Sequence, residues 1–185
     1  MGAAKRMEKE LSVRYEDWEG KVQFEGLSER LERMVDELFW PLPKIEEEVS
    51  KCLRATFTED YSEMLVEGPI LVWAFCPHHL LPCRFKVYIG YIPNGKVLGL
   101  SKFSRVAVVM GKRPIMQEQY SRELADTIWE GLGPEGLGIY VVGTHGCMLV
   151  RGVMQKDTSV STSILKGSFL EDSIVRQEFY SVCRR

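Results

Sequence analysis

In CRFKVYIGYI, Phe85, Val87, Ile89 and Tyr91 alternate with Arg84, Lys86, Tyr88 and Gly90. A period of two sends alternate side chains to opposite faces, so this stretch predicts a half-buried strand. Pro93-Asn94-Gly95 follows as a turn. Asn-Gly is a strong hairpin signal, so Lys96 to Leu100 is expected to return as a second strand. Then the period lengthens. Ser101 to Met110 predicts a short helix, punctuated by Pro114. In QEQYSRELADTIWEGL, Tyr120, Leu124, Ile128 and Leu132 recur every fourth residue, which predicts a helix over 117–132 that Gly133-Pro134-Glu135-Gly136 stops. LGIYVVG and CMLVRGV read as strands joined by THG, VSTSILKGSF as another, and SIVRQEFYSVCRR as a terminal helix. Upstream, Leu27, Leu31, Met34, Val35 and Leu38 share one side of LSERLERMVDELF, with Ser28 as the candidate cap and Trp40-Pro41-Leu42-Pro43 as the stop. The order of helices and strands is that of an α+β fold with an antiparallel sheet.

Composition narrows the function classes. The 185 residues suffice for one domain with a real core. A formal charge of -2 gives no global basic field for nucleic acid or an acidic membrane. The longest apolar run, Ile70 to Phe75, is far too short to cross a bilayer. The first residues lack an apolar segment behind their charges, so no secretory signal is expected and the expected location is cytoplasmic.

The five cysteines are odd in number and irregular in spacing, which argues against a disulfide framework. All three histidines sit beside two of them: His78 and His79 in FCPHHLLPC next to Cys76, and His145 in THGC next to Cys147. Thiolate and imidazole are the usual zinc donors, and catalytic sites use three of them with one position open. Cys76 and His79 suit one tight bend that Pro77 favours. His145 and Cys147, two apart on the expected strand, are placed on one face. Cys52, Cys83 and Cys183 are read as buried small hydrophobes.

CPHH, GKVLGLSKFSR, RPIMQEQ, THGCMLVRGV and STSILKGSF, in that order, resemble the GTP cyclohydrolase I family from about Tyr61 to the C-terminus. The resemblance implies a tunnelling fold, or T-fold: a four-stranded antiparallel sheet with helices packed on one face. Residues 51–185 would form this catalytic domain, preceded by a short helical segment over 1–50. It implies a homo-oligomer, usually a decamer, with active sites at subunit interfaces. The implied reaction opens the imidazole ring of GTP, releases formate and closes 7,8-dihydroneopterin triphosphate, feeding folate, tetrahydropterin or deazapurine synthesis. The implied zinc (Zn2+) ligands are Cys76, His79 and Cys147. His78 and His145 match the family's acid–base histidines, and Glu118 matches the carboxylate that anchors guanine, with Gln117 beside it. Lys102, Arg105 and Arg151 match phosphate contacts, with Ser101 as a ribose or phosphate donor and Arg30 as a contact lent to a neighbouring subunit. Pro77 stands where Glu is usual, Gln119 where Arg is usual, and Ser28-Glu29 where Thr-Pro is usual. A second reading follows from these departures: a divergent member that acts on a modified purine nucleotide or stops at the ring-opened formamide.

Overall fold

A computed structural model describes residues 2–15 and 24–184. They fall into two compact units, within residues 1–40 and 41–185. The first unit is a pair of helices, α1 (Ala3–Arg14) and α2 (Leu27–Leu38). Ser28 does not cap α2. The cap is Gly26, in the left-handed region at φ 70°, and the job of satisfying the first amides passes to α1. The Glu8 carboxylate accepts from the backbone N–H groups of Gly26 and Ser28, each at 3.1 Å. Hydrogen bonds from Ser28 hold the Glu8 carboxyl below its ordinary range.

The second unit opens with α3 (Leu42–Leu53), a helix the sequence reading did not single out. Pro43 lies in its first turn, where a missing N–H costs nothing. The strands are β1 (Thr56–Thr58), β2 (Leu65–Phe75), β3 (Pro82–Ile92), β4 (Lys96–Leu98), β5 (Gly136–His145) and β6 (Val160–Gly167). The expected four-stranded antiparallel sheet is present, in the order β2-β3-β5-β6. The alternation in β3 is realised: Phe85, Val87, Ile89 and Tyr91 are buried.

Two strand expectations fail. Residues 96–98 do not return alongside β3; β4 pairs with β1 instead, with Thr56 opposite Leu98. β3 is flanked by β2 and β5, so neither of its edges is free, and the Leu98 N–H donates to the Tyr91 hydroxyl at 3.2 Å. Likewise CMLVRGV is not a strand. β5 ends at His145 and the chain turns at once into one helical turn, α6 (Gly146–Leu149).

The helices α4 (Leu100–Met110) and α5 (Gln117–Leu132) form as the spacing predicts. They cover one face of the sheet: Phe103 meets Tyr91 edge-on at 4.9 Å, and Tyr120 lies against Phe85 at 5.3 Å. The buried Tyr120 hydroxyl donates to the Ala107 carbonyl at 2.8 Å, which ties α5 to α4. Burial raises the Tyr120 phenol far above its ordinary range.

The last two helices, α7 (Ser168–Glu171) and α8 (Ser173–Cys183), cap one end of the opposite face. Gly90 and Gly138 face each other across β3 and β5 there, and the notch they leave is filled by the rings of Phe169 and Phe179. The two rings pack edge-on at 5.3 Å. A Cβ on residue 138 would lie 2.7 Å from Phe169 and 2.9 Å from Phe179, so this contact tolerates only hydrogen. We therefore expect Gly138→Ala to destabilise the fold by about 1–3 kcal/mol through overpacking. Thermal unfolding followed by circular dichroism should show the melting point falling about 2–4 °C for each kcal/mol lost. An unchanged melting point would show that the rings can move away freely.

Candidate metal centre

FCPHHLLPC is the hairpin connection between β2 and β3. The ladder ends at Phe75 opposite Pro82, and the Cys76 N–H still donates to the Leu81 carbonyl at 3.0 Å. The Leu80 N–H closes the turn on the Cys76 carbonyl at 2.9 Å, with Leu80 itself in the left-handed region at φ 51°. The tight bend buries Cys76 and leaves His78 and His79 exposed. Cys76 Sγ is 3.5 Å from His79 Nδ1 and 3.8 Å from His78 Nδ1.

Cys147 arrives from the other direction, on α6, at the end of β5. The donor atoms of Cys76, His79 and Cys147 all lie within 4.8 Å of one another. Metal–sulfur and metal–nitrogen bonds of about 2.3 and 2.0–2.1 Å at roughly tetrahedral angles need donors about 3.5 Å apart. The sulfur–nitrogen distance meets that requirement, and all five cysteines are free thiols. Burial, and then the neighbouring Cys76, push the Cys147 thiol up, with Arg151 acting weakly in the opposite sense. A thiol pushed up in this way, as at Cys147, is a poor thiolate alone and a good one around a divalent cation. The trio is a group that could hold a metal, and its donor set fits zinc.

His145 and Cys147 are not placed together by a shared strand face, as the sequence suggested. Because the chain leaves the strand at His145, Cys147 is carried to the metal group by α6. His145 turns into the layer beneath α5, with its ring 5.9 Å from Phe85. Its Nε2 is 2.8 Å from Oε1 of Gln117, and its Nδ1 is 3.3 Å from Sγ of Cys83. Burial lowers the His145 pKa, and the Glu118 carboxylate pulls the other way.

Gln117, expected only as a neighbour of Glu118, has a second part that the sequence did not show. It is 1% exposed, and its amide nitrogen reaches the carbonyls of Val141 (3.1 Å) and Val160 (2.9 Å) and the Thr162 hydroxyl (3.1 Å). Thr162 is also 2.7 Å from the Ser121 hydroxyl. The amide nitrogen is thus committed to β5 and β6, so the carbonyl end faces His145. An amide carbonyl accepts only, which means the imidazole carries its proton on Nε2. Gly143 makes the arrangement possible: a Cβ there would fall 2.0 Å from Gln117 Oε1. Cys83, read from sequence as a bland hydrophobe, sits directly opposite His145 across β3 and β5. Burial, and then Cys147 and Cys76, push its thiol up to about 11. Only the pairing register, which no local motif carries, could have exposed this.

The other expected residues are distributed. Glu118 is exposed at the start of α5, close enough to act on His145. Gln119 donates to the Glu123 carboxylate at 2.7 Å, and Arg113 pairs with the same carboxylate. Arg151 is exposed in the loop after α6. Ser101, Lys102 and Arg105 are on the first half of α4, beside Tyr91 at the far end of β3 from the hairpin. At ~3.3 Å per residue, Pro82 and Tyr91 are about 30 Å apart. The first half of α4 thus sits at the opposite end of β3 from the hairpin. Arg30 is in the first unit, where its guanidinium donates to the Glu25 carbonyl at 3.0 Å.

The family model for GTP cyclohydrolase I matches residues 7–184. GTP cyclohydrolase 1 of Homo sapiens is 42% identical over 130 residues, which are 70% of this chain and 52% of that protein. The chain thus spans about half the length of the human relative. GTP cyclohydrolase 1 2 of Nostoc sp. is 37% identical over 161 residues, covering 86% of this chain and 74% of the relative. GTP cyclohydrolase 1 of Clostridium perfringens is 38% identical over 163 residues, 86% of each. With a family match that runs through the hairpin thiol, the α6 thiol and the helix that carries Gln117, the chain belongs to the GTP cyclohydrolase I family.

Proposed function

We propose that this chain is a zinc-dependent GTP cyclohydrolase that converts GTP to formate and 7,8-dihydroneopterin triphosphate in the cytoplasm. The observation that carries the reading is the convergence of Cys76, His79 and Cys147 from two separate segments. Zinc held by three protein donors supplies Lewis-acid activation of water at neutral pH. The chain's own residues supply the rest. Glu118 accepts from guanine N1–H and the 2-amino group, a two-point contact that adenine cannot match. His78, exposed beside the thiol–imidazole pair, and His145, beneath it, move protons at the purine nitrogen and the ribose ring oxygen. Lys102, Arg105, Arg151 and Arg30 bind the triphosphate, Ser101 bonds ribose or phosphate, and the backbone around Gln117 lines the purine pocket.

The distance along β3 supports a shared site. A nucleotide seated at one metal group takes its α4 cations from another copy of the chain. Both outer edges of the four-stranded sheet lack a further strand among the described residues. β2 also presents Leu71 and Trp73, 58% and 59% exposed, on the face α4 and α5 leave open. Exposed edges and apolar side chains of this kind are what a closed ring of sheets covers. The catalytic domain on this reading is the T-fold over 51–185, with the helical segment before it.

A narrower activity, ending at the ring-opened formamide, is favoured by one observation. Gln119, where relatives usually carry Arg, offers no cation and is spent on Glu123. Assaying GTP turnover for both formate and pterin fluorescence decides between the two, since formamide without formate selects the narrower one.

Three outcomes are expected. Cys147→Ser should lose stoichiometric zinc by metal analysis, and pterin formation should fall by more than ~100-fold with it. Full activity in a zinc-free variant would refute the metal role. His145→Ala should keep its zinc and lose roughly 10²–10⁴ in kcat; unchanged turnover would remove the assigned role. Mixing two inactive variants, Lys102→Ala and Cys147→Ser, and allowing subunits to exchange should restore some turnover, because mixed interfaces contain intact sites. No recovery after verified exchange would mean that each chain builds its own site.

A further inference from the structure

We infer that Cys83 is a positioning residue: its thiol donates to His145 Nδ1 and, with Gln117, holds the imidazole in one tautomer and one orientation. The inference rests on the proposed role of His145 and adds how that ring is held.

The geometry fixes the hydrogens in sequence. Gln117 spends its amide nitrogen on Val141, Val160 and Thr162, so its carbonyl oxygen faces Nε2 at 2.8 Å. In the neutral ring the hydrogen is therefore on Nε2, and Nδ1 has only a lone pair. The hydrogen in the 3.3 Å contact between Nδ1 and Cys83 Sγ then belongs to sulfur, whose other acceptor, the Leu81 carbonyl, is farther away at 3.9 Å. The contact is built into the fold, because Cys83 and His145 are direct partners across β3 and β5. Directly opposed side chains lie about 4.5–5.5 Å apart at Cβ, so neither residue reaches for the other. Phe85 closes one side of the ring at 5.9 Å. Cys83 stands outside the metal group, whose three donors are mutually within 4.8 Å without it.

Before substrate binds, an imidazole held at both nitrogens cannot flip about its Cβ–Cγ bond without breaking two hydrogen bonds. To pass a proton to substrate, the Nε2 side exchanges Gln117 for it, and the Cys83 contact is what then still orients the ring. Without the thiol, only Gln117 holds the ring, and the Nδ1 side becomes free to swing. Substrate binding should be untouched, because Glu118 and the triphosphate cations are separate from this contact.

The test uses full-length zinc enzyme carrying Cys83→Ala and Cys83→Ser. In Cys83→Ala, kcat should fall about tenfold with KM for GTP and zinc content unchanged. The imidazole 15N resonances of His145 should shift toward those of a ring without a donor at Nδ1. Cys83→Ser, which restores a donor, should recover part of both signals. Wild-type kcat together with unchanged His145 resonances in Cys83→Ala would overturn the inference. So would loss of zinc in that variant, which would place the sulfur among the metal's own donors. A His145→Ala enzyme that turns over normally would sink the acid–base role of His145. The 15N spectrum would still report whether Cys83 holds the ring, so the two failures are separable.

Discussion

The antiparallel ladder between β3 and β5 is the constraint on which the site depends. Its register places Cys83 opposite His145, and it delivers the hairpin at the start of β3 and the one-turn helix after β5 to the same end of the sheet. A slip of one residue would send every alternating side chain to the other face. It would move His145 out of the layer beneath α5 and break its bond to Gln117. The ladder is pinned by core packing, since Phe85, Val87, Ile89, Leu137, Ile139 and Val141 have no exposed surface. The metal group is thus positioned by apolar burial some distance from it, and the chemistry borrows its precision from the core.

Much of this was legible in the sequence, because the strongest periodicities encode burial directly. The alternation in 83–92 and the four-residue stripe in 117–132 gave the right elements, since each needs only its own residues to show which face is apolar. The thiol and imidazole donors were legible from residue type, because few other reasons gather all three histidines beside two cysteines. What failed was pairing. Nothing local says that both edges of β3 will be occupied, so Lys96–Leu98 looked like a hairpin return when its partner was Thr56–Thr58. CMLVRGV is as apolar as a strand, and only the close approach of Gly146 to the Pro82 carbonyl, 2.7 Å from where a Cβ would lie, shows how tightly the chain turns there.

The orienting parts of Gln117 and Cys83 escaped for a related reason. The sequence named Gln117 only as a neighbour of Glu118 at the purine, and a buried cysteine reads as filler. Their roles come from partners 28 and 62 positions away in sequence. Side chains whose work is to orient another side chain leave no periodic trace, and they become visible only when strands are laid side by side.

The network around Gln117 has one more property. Its members are a thiol, a neutral imidazole, a carboxamide, two hydroxyls and two backbone carbonyls, none with a formal charge at neutral pH. Dissolved ions screen charge–charge attraction strongly and short buried dipolar contacts hardly at all. Ionic strength should therefore act on this protein unevenly, loosening surface pairs such as Lys51 with Glu47 while the seat of His145 stays as it is.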